Sequence, residues 1–225
     1  SKSYKSFLDE VKLPYQEIND FDLVNEEHID LTVKVKENLF DPEILKSLVN
    51  EKLKKYKVNL MLNSLKKVED LNDYDFVIVA TYSSINSSFN LEFPNQEYQF
   101  ELCEKPVFNL PESFLNQSIV VMDGPFTCID PVNFGGTHLV GNVVHAIHEA
   151  NIGKNPIIPE KFSKYMNKGV IQNAEITKKD LFINDLKYFF KGIDDLEYRG
   201  SMFDDGKPLI DTLIKPKYHA CVINR

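Results

Sequence analysis

The first 123 residues of this chain contain no glycine, and all nine glycines lie between Gly124 and Gly206. A G-x-G-x-x-G dinucleotide fingerprint needs its glycines so that the backbone can approach a pyrophosphate at the start of a helix. Gly135, Gly136 and Gly141 do not have that spacing. The fingerprint is therefore impossible within residues 1–123, and Gly135, Gly136 and Gly141 do not form it either.

Length, charge and cysteine content limit the class of protein. The chain has 225 residues, a net charge of −8 and a pI near 5.2, which argues against a nucleic-acid partner. No apolar run approaches the roughly 18 residues of a membrane span, and the N-terminus has no signal-peptide core, so we expect no membrane partner. Cys103, Cys128 and Cys221 are far apart and form no CxxC pair, which predicts reduced thiols and a cytoplasmic location.

The first third of the chain predicts an α/β layer. Alternation over residues 29–35 predicts a half-buried strand, and Asp41-Pro42-Glu43 predicts the start of a helix. Residues 58–62 predict a strand, and residues 76–81, apolar on both faces, predict a strand buried within a sheet. The expected buried face of the helix consists of Ile44, Leu45, Leu48, Val49 and Leu53.

The middle of the chain predicts an antiparallel sheet and then a helix. Short strands are expected at residues 98–103 and 106–109, and a hairpin at 119–122 and 126–130. Thr137 is a suitable N-cap for a helix over residues 138–150. At about 100° per residue, this helix has a polar face that consists of His138, Asn142, His145 and Glu149.

The last third predicts helices over residues 160–167 and 178–191, followed by strands over 198–203 and 218–223. Thr177 and Asp180 have the spacing of a capping box. The second helix has an apolar stripe, and Gly192 follows as a stop. The stripe consists of Phe182, Leu186, Phe189 and Ile193.

The polar residues leave several chemistries open. Histidines at 138, 145 and 148 do not have a known metal spacing, so we favour hydrogen-bonded histidines over a metal site and predict no metal. The glycine pair before Thr137 fits an anion cradle or a simple turn. Asp123, Asp130 and Glu149 fit general acid–base work or turn positions, and Cys128 fits a core thiol better than a nucleophile. Only Arg199 and Arg225 offer a planar, bidentate grip on an anion.

A family resemblance is carried by four stretches. They read F-D-P-E-x-L from Phe40, D-F-V-I-V-A-T from Asp75, V-V-M-D-G-P-F-T-C-I-D-P from Val120, and H-L-V-G-N-V-V-H-A-I-H from His138. In this order they resemble the FAD-dependent oxidoreductases of the D-amino-acid-oxidase type. The chain lacks that family's N-terminal G-x-G-x-x-G segment, and the family's Ala-Thr-Gly turn reads Ala80-Thr81-Tyr82.

The resemblance implies a mixed α/β fold of two interleaved lobes within one folded unit, 1–225. Residues 38–90 and 151–225 are similar to the flavin lobe, and residues 1–37 and 91–150 to the antiparallel substrate lobe. It implies FAD as the cofactor, with Val58, Ala80 and Thr81 near it. The residues expected to line the catalytic site are Tyr82, His138, His145 and Arg199.

Three functional hypotheses follow. The first is oxidation of an amine or amino acid by hydride transfer to flavin. In this hypothesis the chain is a fragment or a shortened relative of the family, and it can form homo-oligomers. The second is a non-catalytic module that binds a small ligand or a protein and has lost flavin binding. The third is a cofactor-independent enzyme that uses the histidine face and Asp130.

Overall fold

A computed structural model of the chain describes residues 2–36, 40–64, 66, 68–84, 86, 97–122, 124, 126–132 and 135–209, with the backbone alone at 68, 69 and 204–209. The chain divides into two compact units whose segments alternate along the sequence. The first unit contains residues 1–62, 104–146 and 168–202, and the second contains residues 63–103, 147–167 and 203–225. The strand predicted at 218–223 lies outside the described residues.

The first unit begins with a helix and a two-stranded antiparallel sheet. Helix α1 spans Lys2–Glu10, and strands β1 (Tyr15–Ile18) and β2 (Thr32–Val35) pair with Tyr15 opposite Val35. Helix α2, Pro42–Lys55, begins where predicted, because Asp41 Oδ1 accepts hydrogen bonds from the backbone N–H groups of Glu43 and Ile44.

The main sheet of the first unit is antiparallel. Strand β4 (Ile119–Val120) pairs with β5 (Cys128–Pro131), β5 with β6 (Thr137–Gly141), and β6 with residues 107–109 of β3 (Tyr98–Asn109). Strand β8, Glu197–Leu209, also pairs with β3. Side chains alternate across the sheet, so Ile129 and Val140, which are opposite each other, are both fully buried.

Helix α4, Lys179–Phe189, supplies the other half of this core. Its buried residues are those of the predicted stripe, and they pack in one cluster with Phe108, Phe114, Ile129 and Val140. Ile193, just after the helix, belongs to the same cluster. The sequence periodicity is thus confirmed where the helix has a sheet to pack against.

The second unit contains residues 98–103 of β3, which pair antiparallel with strand β7, Ile147–Gly153. Helix α3, Glu160–Ser163, is shorter than the predicted 160–167. Its Phe162 belongs to an aromatic cluster in which Tyr165 stacks on Phe203 at 4.8 Å and His148 meets Phe162 edge-on at 5.1 Å.

The predicted helix over residues 138–150 is wrong, because this segment forms β6, a turn and β7. Burial alternates strictly along β6, which is the period of a strand. Asn142 Oδ1 then accepts hydrogen bonds from the backbone N–H groups of Val144 and His145, which holds a turn where a helix would continue. The predicted polar helix face with His138 and His145 therefore does not exist.

The predicted α/β layer is also wrong in two places. Residues 58–62 and 76–81 are not strands, and among the described residues neither segment has a ladder partner. Four of the five residues in the predicted buried stripe of α2 are exposed, with Ile44 at 56 % and Leu48 at 50 % exposure, and Leu53 is half-buried. A run of apolar residues becomes a buried strand only where other elements cover it.

The mixed class of helices with antiparallel sheets is confirmed. The 119–130 hairpin forms as β4 and β5, while the two strands predicted at 98–103 and 106–109 are one continuous strand, β3. The strand predicted at 29–35 starts later, at Thr32, which pairs with Ile18, the last residue of β1. Within the described part of the chain, no helix is long and apolar enough to cross a membrane.

Candidate functional site

One predicted catalytic residue, His145, forms a pair with an aspartate in the first unit, and other residues hold this pair in place. His145 Nε2 lies 3.3 Å from Asp185 Oδ2, and the two side chains are 23 % and 24 % exposed. The turn after β6 positions His145, and the middle of α4 positions Asp185. Phe182, one helical turn before Asp185, meets the imidazole edge-on at 6.1 Å. The pair is thus partly open to solvent and packs against the core through Phe182.

Asn142 fixes this pair. Its side chain is almost fully buried, and its Nδ2 donates to Asp185 Oδ2 at 2.6 Å and to Thr127 Oγ1 at 3.1 Å. Its Oδ1 accepts from the backbone of the turn that carries His145. One amide therefore sets both the orientation of the carboxylate and the position of the imidazole.

This geometry suits proton transfer. A carboxylate that binds one imidazole nitrogen fixes the tautomer and leaves the other nitrogen, here Nδ1, to exchange a proton with a substrate. The described residues hold no group of three or more His, Cys, Asp or Glu side chains suited to a metal ion. The geometry of the pair makes it a candidate general base.

His138 has a different environment. It is fully buried on β6, with Nδ1 2.9 Å from Gly136 O and Nε2 3.0 Å from Phe114 O. Both neighbours are acceptors, and a neutral imidazole has only one N–H, so the neutral ring satisfies one of the two. His138 ties two loops to the sheet from a position that no solute reaches without local opening.

Arg199, on β8, is engaged with a carboxylate of its own chain. Its Nη1 donates to Glu197 Oε1 at 2.8 Å, and Asn109 Nδ2 donates to Glu197 Oε2 at 3.0 Å. The hydrogen bond from the Arg199 guanidinium, with that from Asn109, holds the pKa of Glu197 below its ordinary value. A substrate carboxylate would have to compete with Glu197 for this guanidinium.

The predicted flavin-side residues are exposed. Val58 belongs to the first unit, and Ala80, Thr81 and Tyr82 belong to the second. Tyr82 opens a 3₁₀ turn and has φ +53°, the left-handed conformation that favours glycine. The tyrosine therefore keeps the backbone shape of a glycine while it adds a side chain.

The sequence did not indicate Asp185, and it placed Asn142 with His145 only on the polar face of a helix that does not form. The available signal was the position of Asp185 between Phe182 and Phe189, three and four residues away on the buried face of α4. A carboxylate on an apolar stripe needs a polar partner, and here Asn142 and His145 supply it.

A buried carboxylate, that of Glu104 on β3, holds α4 to β8. It is fully buried and accepts hydrogen bonds from Thr177 Oγ1 and Ser201 Oγ, each at 2.5 Å, and from Lys178 N at 2.7 Å. The capping box predicted from Thr177 and Asp180 is wrong, because the N-cap of α4 is Lys178 and the Thr177 hydroxyl is directed to Glu104.

The comparisons with known proteins add no relative. No protein-family model matches the chain, and neither the curated proteins nor the solved structures provide a match.

Proposed function

We propose that the chain belongs to an FAD-dependent oxidoreductase that oxidises an amine or amino acid. The observation that carries the proposal is the left-handed backbone of Tyr82, with φ +53°. The flavin-side turn of the resembling family has glycine at this position, and a non-glycine residue in that conformation costs about 1–2 kcal/mol. A turn that keeps this shape without glycine fits descent from a flavin-side Ala-Thr-Gly turn.

The antiparallel strands support the same proposal. The resemblance assigns residues 91–150 to an antiparallel substrate lobe, and β3, β5 and β6 pair antiparallel within that range. The family resemblance and the strand pairing therefore agree for the part of the chain that would meet the substrate.

Residues near the left-handed turn suit contact with FAD, whereas residues 1–123 lack a glycine turn for its pyrophosphate. Ala80 and Thr81 are exposed beside the left-handed turn in the second unit, where both are accessible to a flavin ring, and Val58 is exposed in the first unit. Residues 1–123 contain no glycine, so the pyrophosphate is not held there by a glycine turn. When bound, FAD supplies a hydride acceptor.

The residues of the chain would handle the proton. A protonated amine must lose a proton before it can be oxidised, and His145, fixed by Asp185, is the base that we assign to this step. The proposed partner is thus a small amine or amino acid. The widely spaced cysteines suit a reducing cytoplasm as the location.

A titration of FAD, followed by quenching of flavin fluorescence, tests the proposal. We expect the wild-type protein to bind FAD, and Tyr82→Gly to bind it more tightly, because a bare backbone then faces the cofactor. Lys57→Gly is the matched control, since Lys57 also has a left-handed backbone, φ +54°, and is not a predicted cofactor residue. If neither the wild type nor Tyr82→Gly quenches the fluorescence, flavin binding by this chain is refuted.

A non-catalytic binding module is the second candidate. The side chain of Tyr82 stands where a flavin enzyme of this type has none, which favours a relative that has lost its cofactor. This candidate predicts no FAD uptake by the wild type and recovered uptake by Tyr82→Gly. The first candidate predicts uptake by both.

A further inference from the structure

Helix α2 presents an apolar surface to solvent. Four of its residues, Ile44, Leu45, Leu48 and Val49, lie on neighbouring turns, and each is about half exposed. Exposed apolar side chains grouped in this way are uncommon on a monomer and indicate an interaction site. We call these four residues and the two lysines named next the α2 surface.

The α2 surface is basic. Lys52 and Lys55 are exposed on the same face of the helix as the apolar residues. With Lys46 and Lys54 elsewhere on the helix, the lysines outnumber its two acidic residues, Glu43 and Glu51. The whole chain has a net charge of −8, so this helix is opposite in sign to the molecule that carries it. A partner for this surface should therefore be acidic as well as apolar.

Residues 73–78 have those two properties, and we call them the acidic segment. Asp73 and Asp75 are exposed, and Phe76 and Ile78 are each 91 % exposed. The sequence from 68 to 84 contains no basic residue. Tyr74, Phe76 and Ile78 occupy alternate positions, and this spacing of aromatic and β-branched residues is typical of a chain that docks in an extended form.

We propose that the α2 surface of one copy binds the acidic segment of a second copy. Leucine and isoleucine side chains of α2 would cover Phe76 and Ile78, while Lys52 and Lys55, on the same face of the helix, would face Asp73 and Asp75. Charge complementarity selects this arrangement over contact between two α2 helices, which would bring like charges together.

This contact is head-to-tail. Because the two surfaces differ, a dimer joined in this way still has one unused α2 surface and one unused acidic segment, and the assembly need not stop at a dimer. Added salt should weaken the contact, since the Debye length falls from about 10 Å at 0.1 M to about 3 Å at 1 M salt. The average mass should therefore rise with protein concentration and fall with salt.

Analytical ultracentrifugation of charge-swapped variants tests the proposal. We expect the wild-type chain to associate from low to high micromolar concentration at low salt. Lys52→Glu with Lys55→Glu, and separately Asp73→Lys with Asp75→Lys, should each be monomeric alone, and an equimolar mixture of the two variants should associate again. Lys34→Glu with Lys36→Glu changes the same number of charges at exposed positions near β2 and should leave association unchanged.

Recovery in the mixture shows that both variants are folded and that the two surfaces meet. A wild-type chain that stays monomeric overturns the proposal, as does a mixture that stays monomeric while the control associates. Sedimentation with phosphatidylserine vesicles tests whether the α2 surface binds an acidic lipid surface instead of a second copy of the chain. If the monomeric wild type binds those vesicles and Lys52→Glu with Lys55→Glu does not, the surface binds lipid and the proposal is wrong.

Discussion

Removal of the Glu104 carboxylate should cost the first unit much of its stability. The carboxylate accepts hydrogen bonds from Thr177 Oγ1, Lys178 N and Ser201 Oγ, and it is fully buried. Hydrogen bonds to a charged group contribute about 1.5–3 kcal/mol each, and buried donors left without an acceptor carry a further penalty. The two hydroxyls can reorient, and water can enter the space, so we expect Glu104→Ala to lose about 3–5 kcal/mol.

Glu104→Gln separates charge from shape. The amide keeps one acceptor oxygen, and its NH₂ group can donate to a hydroxyl oxygen, so the expected loss is only about 1–2 kcal/mol. Ser201→Ala removes one donor and also the partner of Tyr198 Oη, which lies 2.7 Å from Ser201 Oγ. In a double-mutant cycle, Glu104→Ala and Ser201→Ala should show a coupling energy of about 1–2 kcal/mol.

The assay is equilibrium unfolding in urea, followed by far-UV circular dichroism, with a comparison of midpoints at an unchanged slope. Glu112→Gln, at an exposed position in the 3₁₀ turn before β4, is the control and should stay within about 0.5 kcal/mol of the wild type. The reasoning is refuted if Glu104→Ala loses no more stability than this control.

Two further predictions concern close packing in the first unit. Gly200 has φ +141°, and a Cβ there would lie 2.6 Å from Ile171 O, so Gly200→Ala should lose at least about 2 kcal/mol in urea unfolding. Gly169→Ala, which also has a left-handed backbone but meets open space, should lose about 1 kcal/mol, and equal losses would contradict this account. Burial raises the pKa of the Cys128 thiol to about 12, with Asp130 as a further cause. In a variant whose other two cysteines are serine, iodoacetamide should therefore alkylate Cys128 at pH 8 on the order of a thousandfold more slowly in the folded than in the unfolded protein. The raised pKa also sets the sign of the pH effect: the contribution to stability is complete below the ordinary thiol pKa and is lost as pH rises towards 12. A folded thiol that reacts at the unfolded rate would contradict the burial.

The sequence predicted elements well where local signals and tertiary cover agree. The stripe of α4 follows the 3.6-residue period, and its residues meet a sheet whose buried positions are also apolar. Asp41 and the proline that follows it begin α2 through contacts within the helix itself. Such contacts are local, so periodicity and capping chemistry are enough to find them.

The segment after Thr137 shows how periodicity can mislead. Val140, Val143, Val144 and Ile147 have helical spacing, yet residues 137–141 also alternate, and the alternation decides the outcome because β3 and β5 are available as partners. The choice between a helix and two strands here depends on pairing with residues some 30 positions earlier in β3, which no local window contains.

For the same reason, only one residue of the histidine–aspartate pair, His145, was predicted from the sequence. His145 attracts attention as a polar residue in a glycine- and valine-rich stretch, while its partner Asp185 lies 40 residues later in another element. The burial of α2 and of residues 76–81 was predicted from apolar content alone. Apolar content shows only that a surface is suited to contact with another surface. Among the described residues, no element of the fold covers the exposed apolar side chains of these two segments.

Reduction of bound flavin by substrate is the most direct test of the proposed oxidoreductase. The protein, loaded with FAD and kept free of oxygen, is mixed with D- and L-amino acids and primary amines while the visible flavin spectrum is recorded. We predict that at least one of these compounds bleaches the spectrum, that air restores it, and that His145→Gln slows the bleaching without a change in FAD affinity. A bound flavin that dithionite reduces but that every amine and amino acid leaves oxidised would contradict the proposed function.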